Sequence, residues 1–209
     1  MLFRSAFKIP TIKYDEVIAL EPEHVEMIHK TKPDEKKLIR TWYYTRLILH
    51  SGMRVGDMVN FETTLGEGYI DMKDLKTQHA SKFYLPKEVR EYIYHDKKPK
   101  WTTKDFREKL KTLLKYYPEF HEMRLVYKTN YIGELEKISK PIYEWITPHK
   151  LRSSAISWYL SLGYTEKQVR EISGHADGSH AFYRYTAKTD ERTRKAHAEQ
   201  IDNLLKVCQ

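Results

Sequence analysis

Most residues whose types and spacing suit catalysis lie in the last third of the chain. His149 and Arg152 form an H-x-x-R pattern, His175 follows in a Gly-His pair, and Tyr183 and Tyr185 come soon after it. Cationic hydrogen-bond donors can hold the oxygens of a phosphate while an aromatic hydroxyl attacks its phosphorus. The pattern therefore indicates nucleophilic attack on a phosphodiester, and a basic protein with this group is expected to cut nucleic acid.

Each residue type in this group has a chemical reason to be there. Arginine offers a planar fork of donors that stays charged, and histidine can also move a proton near neutral pH. A free tyrosine has a pKa of about 10, so a nucleophilic tyrosine needs cationic neighbours or a base. The leaving 5′ oxygen needs a proton, which a lysine on a mobile hairpin can deliver. Such a site therefore draws on several separate parts of the chain.

The composition favours a polyanionic partner. The 209 residues include 37 Lys and Arg against 29 Asp and Glu, which gives a formal charge of +8 and a pI near 9.3. A field of this sign attracts nucleic acid. Cys208 is the single cysteine, which excludes an intramolecular disulfide and cysteine-rich zinc modules. With no apolar run as long as a membrane span and no signal-peptide core, a cytoplasmic protein is expected.

The periodicity predicts a mainly α fold with a small antiparallel hairpin, an α+β class. Apolar spacing and end signals predict helices in six places: about 23–29, 34–50, after Pro86, after Thr102 or Thr103, from Thr147-Pro148 to about Leu160, and from Thr165 to Gly174. Residues 68–85 predict two short strands around a polar middle, with Lys76 near the tip of the hairpin or along its first strand.

These elements position the candidate residues in a defined way. Gly52 supplies a stop for the second helix, so Arg54 follows it directly in a turn. His149 and Arg152 are three residues apart on one helix and therefore share a face. Gly174 ends the next helix, which leaves His175 at the break.

The stretch 97–115 is strongly basic and admits two interpretations of equal weight. It holds eight basic side chains against Asp105 and Glu108, with Trp101 among them. A solvated helix face explains this pattern, and so does a surface that follows DNA phosphates.

Three segments are expected along the chain. Residues 1–20 are weakly periodic and predict an N-terminal arm or linker, and residues 21–188 form the main domain. Residues 189–209 carry an apolar stripe typical of an amphipathic helix, which either covers its own domain or docks on a neighbouring protomer.

From about residue 20 to 190 the chain resembles the catalytic domain of the tyrosine recombinases, also called phage integrases. Four segments in the right order carry the resemblance: LHSGMRVGDMVNF, DLKTQHASKFYLP, HKLR and SGH. An isolated H-x-x-R or Gly-His pair carries little information, whereas the ordered set is specific. The sequence looks closest to integrases of conjugative transposons and phages of Bacteroides-like bacteria.

The resemblance implies a catalytic set, which is Arg54, Lys76, His149, Arg152, His175 and Tyr185. In the family the tyrosine follows the last histidine by nine residues. Here Tyr183 follows His175 by eight and Tyr185 by ten, so Tyr185 is preferred on its surrounding AFYRYTAK pattern and Tyr183 stays an alternative. Lys73 and Lys82 remain alternatives to Lys76 on the same hairpin.

The resemblance also implies the reaction and its partners. The tyrosine would attack a scissile phosphate in double-stranded DNA, forming a 3′-phosphotyrosyl link and freeing a 5′ hydroxyl. No metal and no nucleotide cofactor would be required, since the covalent link conserves the bond energy. Four protomers would exchange strands between two duplexes, and the free protein would be a monomer. Members of the family usually carry a further N-terminal helical domain that clamps DNA, and residues 1–20 are too short for one.

Other interpretations remain open at this point. A type IB topoisomerase uses the same chemistry, and a non-catalytic DNA-binding protein could keep the same fold. Arg152 alone would most simply be a surface ion-pair partner, and Arg54 a favourable charge after a helix end. His175, Asp177 and His180 suggest a metal site only weakly, because no further ligand is suitably spaced.

Overall fold

The computed structural model describes residues 18–60, 64–65, 69–73, 80–96, 100–130 and 134–174. In chain order the elements are α1 (Pro22–Lys30), α2 (Lys36–Ser51), α3 (Val55–Asn60), β1 (Thr64–Leu65), β2 (Tyr69–Lys73), β3 (Ala80–Tyr84), α4 (Lys87–His95), α5 (Thr103–Tyr116), a 3₁₀ turn (Pro118–His121), β4 (Met123–Thr129), β5 (Leu135–Pro141), α6 (Ile142–Trp145), α7 (Pro148–Ser161) and α8 (Glu166–Ser173).

The helix α2 forms the centre of the core. It is buried on all sides from Thr41 to Leu49, and α1, α4, α5 and α7 pack around it. A helix surrounded in this way needs apolar residues on every face, which α2 supplies with aromatic and aliphatic side chains. The Trp42 indole, fully inside, donates a hydrogen bond to the Ile28 carbonyl at 2.7 Å, so α1 and α2 are joined by a polar contact as well as by packing.

Most helix ends follow the predicted signals. Thr102 forms a capping box with Asp105 at the start of α5, and Thr165 forms one with Gln168 at the start of α8. These reciprocal bonds satisfy backbone donors that a helix start leaves unpaired. Thr147 does precede α7, but its side chain makes no capping bond, so only the position of that predicted cap is confirmed.

The predicted hairpin is confirmed, and it carries a third strand. β2 and β3 pair antiparallel from Tyr69↔Tyr84 to Lys73↔Ala80, and β1 adds to the other edge of β2. Residues 74–79, with Lys76, lie outside the described residues. The fold is therefore mainly helical with small antiparallel sheets, and the predicted α+β class is confirmed.

A second hairpin, β4–β5, was not anticipated from the sequence. Its strands pair from Met123↔Pro141 to Thr129↔Leu135. The Trp145 indole lies within hydrogen-bonding distance of the backbone carbonyls of Arg124 (3.2 Å) and Lys140 (3.1 Å), which links α6 to both strands. Only one residue of β4, Val126, is buried, and β5 holds four charged or polar residues among its seven, so the pattern of buried and exposed positions was not visible in the sequence.

One face of this hairpin is apolar and exposed. Met123, Leu125 and Tyr127 alternate along β4, and Leu135 stands on β5 opposite the end of that row. Each is at least 39% exposed. An apolar sheet face left open to water is a feature that protein contacts commonly cover.

The residues before α1 already belong to the packed structure. Ile18, Ala19 and Leu20 are buried, and the Leu20 amide donates to the Ser154 hydroxyl at 2.8 Å. In the part of the chain that is described, no helix has the length and apolar character needed to cross a bilayer.

Two histidines stack between α1, α2 and α7. The rings of His29 and His50 lie 4.1 Å apart between centroids, and Trp158 packs against both. Among the described residues, neither nitrogen of His29 nor Nε2 of His50 has a hydrogen-bond partner. Desolvation, with the positive charge of Arg46 nearby, lowers the pKa of His29 to about 2 and that of His50 to about 4. Both rings are therefore held neutral.

We expect the free energy of unfolding to fall as the pH drops from 6.5 towards 4. Both histidines bind protons more weakly in the folded protein than in the unfolded chain, so acid favours unfolding by about 1–2 kcal/mol per histidine at pH 5. In a His29→Leu variant this acid slope becomes shallower, while an exposed control, His95→Gln, keeps it. Denaturant melts at several pH values measure the slope. An unchanged slope in His29→Leu would contradict the assignment.

Candidate functional site

Arg54 is held in a tight turn between two helices. Gly52 ends α2 in the left-handed conformation (φ 61°), and its N–H donates to the Ile48 carbonyl at 2.8 Å. The Arg54 carbonyl then accepts from the amides of Asp57 and Met58, both at 3.0 Å, which starts α3. The guanidinium of Arg54 lies 3.8 Å from the Asp57 carboxylate, and the side chain is 41% exposed. The turn thus presents a half-exposed charge at the end of the central helix.

Arg152 lies inside the protein, on the second turn of α7. Its residue is only 5% exposed, so the interpretation of Arg152 as a surface ion-pair partner is wrong. The reason is that α7 is buried around its whole circumference from Leu151 to Ser157, not only on one side. Hydrogen bonds from a charged group are stronger in such a low-dielectric setting than in water. Arg152 is therefore suited to bind an anion more firmly than a surface arginine would.

His149 occupies the exposed first turn of the same helix. The pKa of its imidazole is lowered from the usual 6.5, first by partial desolvation and then by the charges of Lys150 and Arg152. The ring is consequently neutral at physiological pH and able to accept a proton. It also lies at the helix N-terminus, where the peptide dipoles favour negative ligands.

The helices α7 and α8 form a hairpin joined by a short loop. Ile156 and Val169 make a small core between them, with Tyr159 packed against it. Arg152 lies one turn before Ile156 on α7, and Ser173 lies one turn after Val169 on α8. Ser173 is the last residue of α8, so it lies at the end of that helix away from the joining loop.

The turn that carries Arg54 contacts this same end. A Cβ built on Gly52 would lie 3.1 Å from the Cβ of Ser173, so the two backbones touch. The Tyr159 hydroxyl also donates to the His50 carbonyl, which ties α7 to the last turn of α2. Through these contacts the turn that carries Arg54, the end of α8 and the helix α7 meet at one corner of the fold.

Part of the predicted set lies outside the described residues: Lys76, His175, Tyr183 and Tyr185. The backbones of the alternative lysines lie in the β2–β3 ladder, where Lys73 is opposite Ala80 and Lys82 is opposite Asp71 in the strand register. The weakly suggested metal residues Asp177 and His180 also fall outside the described residues. Within the described ranges, no group of three His, Cys, Asp or Glu side chains converges as a metal site would require.

Several side chains of the basic stretch 97–115 make intramolecular contacts that the sequence did not indicate. Trp101 stacks against Phe106 with ring centroids 5.8 Å apart, and the Lys109 ammonium lies 5.5 Å from its centroid. Lys111 pairs with Glu144 at 2.6 Å. Trp101 is therefore committed to packing, and some of the lysines have intramolecular partners. That the remaining exposed lysines follow DNA phosphates stays a prediction.

The corner contains the elements of an oxyanion site. Arg54 and Arg152 supply two guanidinium groups on parts of the chain that pack together, and the neutral imidazole of His149 lies one turn before Arg152 on α7. Such donors match the oxygens of a phosphate, and the imidazole can receive the proton that an attacking hydroxyl loses. Sequence reasoning found these residues by their order, but it did not find the Gly52–Ser173 contact, because nothing in either segment signals its partner.

Comparisons with known proteins agree with the observed fold. The model described as "Phage integrase family" matches residues 19–192. The chain is similar in structure to the XerH site-specific recombinase in a post-cleavage complex with difH substrate, with a TM-score of 0.56, 16% identity, and coverage of 87% of this chain and 53% of that one. A lambda integrase dimer bound to a COC′ core site gives a TM-score of 0.53 and 15% identity, with coverage of 80% and 58%.

A third solved structure is the Tn1549 transposon integrase with a circular intermediate DNA, with a TM-score of 0.50, 16% identity, and coverage of 90% and 66%. At these identities the likeness shows a shared fold. The chain spans about half the length of the first of these structures. No protein among those with curated functions matches the sequence.

We expect the imidazole of His149 to titrate below 6.5, and a Lys150→Gln variant to raise its pKa. Removing a neighbouring positive charge makes the protonated ring less unfavourable, although the desolvation that contributes most remains. Lys167→Gln, an exposed change on α8, serves as the control and leaves the pKa unchanged. NMR titration of the histidine ring protons measures the shift. A His149 pKa above 6.5 in the unaltered protein would contradict the desolvation of this ring.

Proposed function

The chain belongs to the phage integrase family, and on this premise we propose that it is a site-specific DNA recombinase or integrase. It cuts and rejoins double-stranded DNA through a tyrosine, with no need for a metal or ATP. The observation that supports the proposal is that the turn carrying Arg54 packs against the end of α8 and is tied to α7, the helix that carries the buried Arg152 and the neutral His149. Its setting would be the cytoplasm, on the DNA of a mobile element or its bacterial host.

In this proposal the corner binds the scissile phosphate. Arg54 and Arg152, with His175 contributed from just beyond α8, donate hydrogen bonds to the non-bridging oxygens. The charge on these oxygens changes as the reaction proceeds, so fixed cationic donors in a low-dielectric site stabilise the transition state. The burial of Arg152 supports this role, since a buried guanidinium is already held in place before the DNA arrives.

The proton transfers complete the reaction. Tyr185 attacks the phosphorus, its phenolic proton passes to the neutral imidazole of His149, and a 3′-phosphotyrosyl bond forms. The bond from phosphorus to the 5′ oxygen breaks, and Lys76 donates the proton that this oxygen takes up. Rejoining reverses these steps with the 5′ hydroxyl of another strand. The lowered pKa of His149 supports its part as acceptor, because a protonated ring could not receive the proton.

We also propose that the protein assembles on DNA as a tetramer and is a monomer when free. The charge of +8 supports binding to the DNA backbone. The lambda integrase to which the chain is similar forms a dimer on its core site. The exposed apolar face of the β4–β5 hairpin supports contacts between protomers, since its four large side chains otherwise remain in water. A face of only four large side chains is small, so it suits an interface that forms when DNA already holds the protomers together.

A suicide substrate tests the cleavage chemistry. Duplexes that the protein binds are first selected from a random library, and a nick is then placed so that the freed 5′ end diffuses away. We expect a covalent protein–DNA adduct that Tyr185→Phe abolishes and Tyr183→Phe retains. Arg54→Ala and Arg152→Ala each lower the rate of adduct formation about 10²–10³-fold, because each removes a donor to the phosphate. Arg90→Ala, a half-buried arginine on α4 outside the basic stretch 97–115, is the control.

The results of this experiment distinguish a wrong nucleophile from a wrong function. Loss of the adduct in Tyr183→Phe alone would move the nucleophile to Tyr183 and leave the function standing. Tight DNA binding with no adduct on any selected site would mean a non-catalytic DNA-binding protein. Relaxation of supercoiled plasmid by a monomer, without preference for a site, would indicate a topoisomerase.

A Leu125→Glu variant tests whether the apolar face of the β4–β5 hairpin is an interface between protomers. A charge on the apolar hairpin face opposes its burial against another protomer, so complexes that join two duplexes should become rarer while the affinity for a single site is unchanged. Leu162→Glu, also at an exposed leucine, is the matched control. Native gel mobility with single-site and paired-site DNA measures both quantities. Equal amounts of the joined complex in both variants would show that this face is not an interface.

A further inference from the structure

The close contact between Gly52 and Ser173 joins two segments that are far apart in the chain. A Cβ on Gly52 would meet the Ser173 Cβ at 3.1 Å and the Ser173 Cα at 3.4 Å. A Cβ–Cβ separation of 3.1 Å is tighter than ordinary van der Waals contact, so a side chain at residue 52 would require Ser173 to move by a few tenths of an ångström. Gly52 also has a φ of 61°, which adds a second requirement for glycine.

Both sides of the contact are held rigidly. Ser173 is buried, and its hydroxyl donates to the Val169 carbonyl at 2.6 Å within α8. Gly174 closes that helix in the left-handed conformation, with its N–H bonded to the Arg170 carbonyl. On the other side, α2 is the most buried helix of the described structure. A change in the Gly52–Ser173 distance would therefore displace one whole element relative to the other.

Each partner lies two residues before a proposed phosphate ligand. Arg54 follows Gly52, and His175 follows Ser173. Two residues of extended chain span less than about 7 Å, so the backbone of Arg54 follows any displacement of Gly52. The packing of Gly52 on Ser173 thus fixes where the turn carrying Arg54 lies against the end of α8.

We propose that Gly52 and Ser173 are positioning residues for the cleavage reaction, and that their contact sets where the turn carrying Arg54 lies against the α7–α8 hairpin, which carries Arg152. This inference rests on the proposed function. The contact acts through the Arg54 side chain that follows it, and a displacement of about 1 Å in such a group can cost about 10²-fold in rate.

A Gly52→Ala variant introduces the Cβ and tests the contact. We expect the rate of adduct formation at saturating DNA to fall at least about 10-fold while the affinity for DNA stays within about twofold, since the phosphate ligands remain but are misaligned. Thermal unfolding is followed in parallel. Gly163→Ala is the matched control: its φ of 88° makes alanine equally strained there, but a Cβ on it would meet nothing within 4 Å. This control loses stability but not its cleavage rate.

A second substitution separates the close contact from the backbone strain. In the double variant with Gly52→Ala and Ser173→Gly, the added Cβ meets only the residue 173 Cα at 3.4 Å, an ordinary contact. We expect this variant to recover most of the lost rate, although the strain at φ 61° remains. Failure to recover, or an equal loss in Gly163→Ala, would attribute the effect to strain and overturn the proposal.

A third pair of variants keeps the test decisive if Gly52→Ala does not fold. Ser173→Val leaves the glycine backbone unchanged and widens the side chain at the contact, whereas Ser173→Ala keeps the Cβ as it is. The proposal expects a slower cleavage rate in the first and a normal rate in the second; equal rates would overturn it. Absence of an adduct from the unaltered protein would instead reject the proposed function, so the two failures are distinguishable.

Discussion

The burial of α2 from Thr41 to Leu49 is the constraint on which the rest of the structure depends. This helix has apolar or aromatic contacts on every side, so α1, α4, α5 and α7 must arrange themselves around it. Its last turn leads directly into Gly52 and Arg54. The position of the first proposed phosphate ligand is therefore set by the most firmly packed element of the described core, and not by a surface loop. Rigid support of this kind is what a preorganised anion site requires.

The three titratable or charged groups of the proposed site have different surroundings, and each surrounding suits a different chemical role. Arg152 is buried within α7, Arg54 is half-exposed beside Asp57, and His149 is neutral because desolvation and neighbouring cations oppose its protonation. A buried, permanently charged guanidinium can hold an oxyanion, whereas a neutral imidazole on the exposed first turn of α7 can accept a proton. The general charge of +8 attracts DNA, but only this local arrangement distinguishes cleavage from binding.

Aromatic rings hold some of the basic side chains in place. Trp101 and Trp145 are each approached by cationic side chains, with Lys109 at 5.5 Å from the first ring and Lys128 at 5.2 Å from the second. Both lysines remain exposed, so these contacts restrict where the side chains lie without removing their charge from the surface. A count of lysines therefore describes the charge of the surface, but not how freely each side chain can move to meet a DNA phosphate.

The sequence by itself determined the local features. The capping boxes at Thr102 and Thr165, the left-handed stop at Gly52 and the β2–β3 hairpin depend on residues close together in the chain, so their signals are complete within a few positions. The order of the motifs likewise identified the family. Only the tertiary structure decided that Arg152 is buried, that His29 stacks on His50, and that Gly52 contacts Ser173. Each of these depends on a partner supplied by a distant segment through packing around α2, and no local pattern encodes which segment that will be.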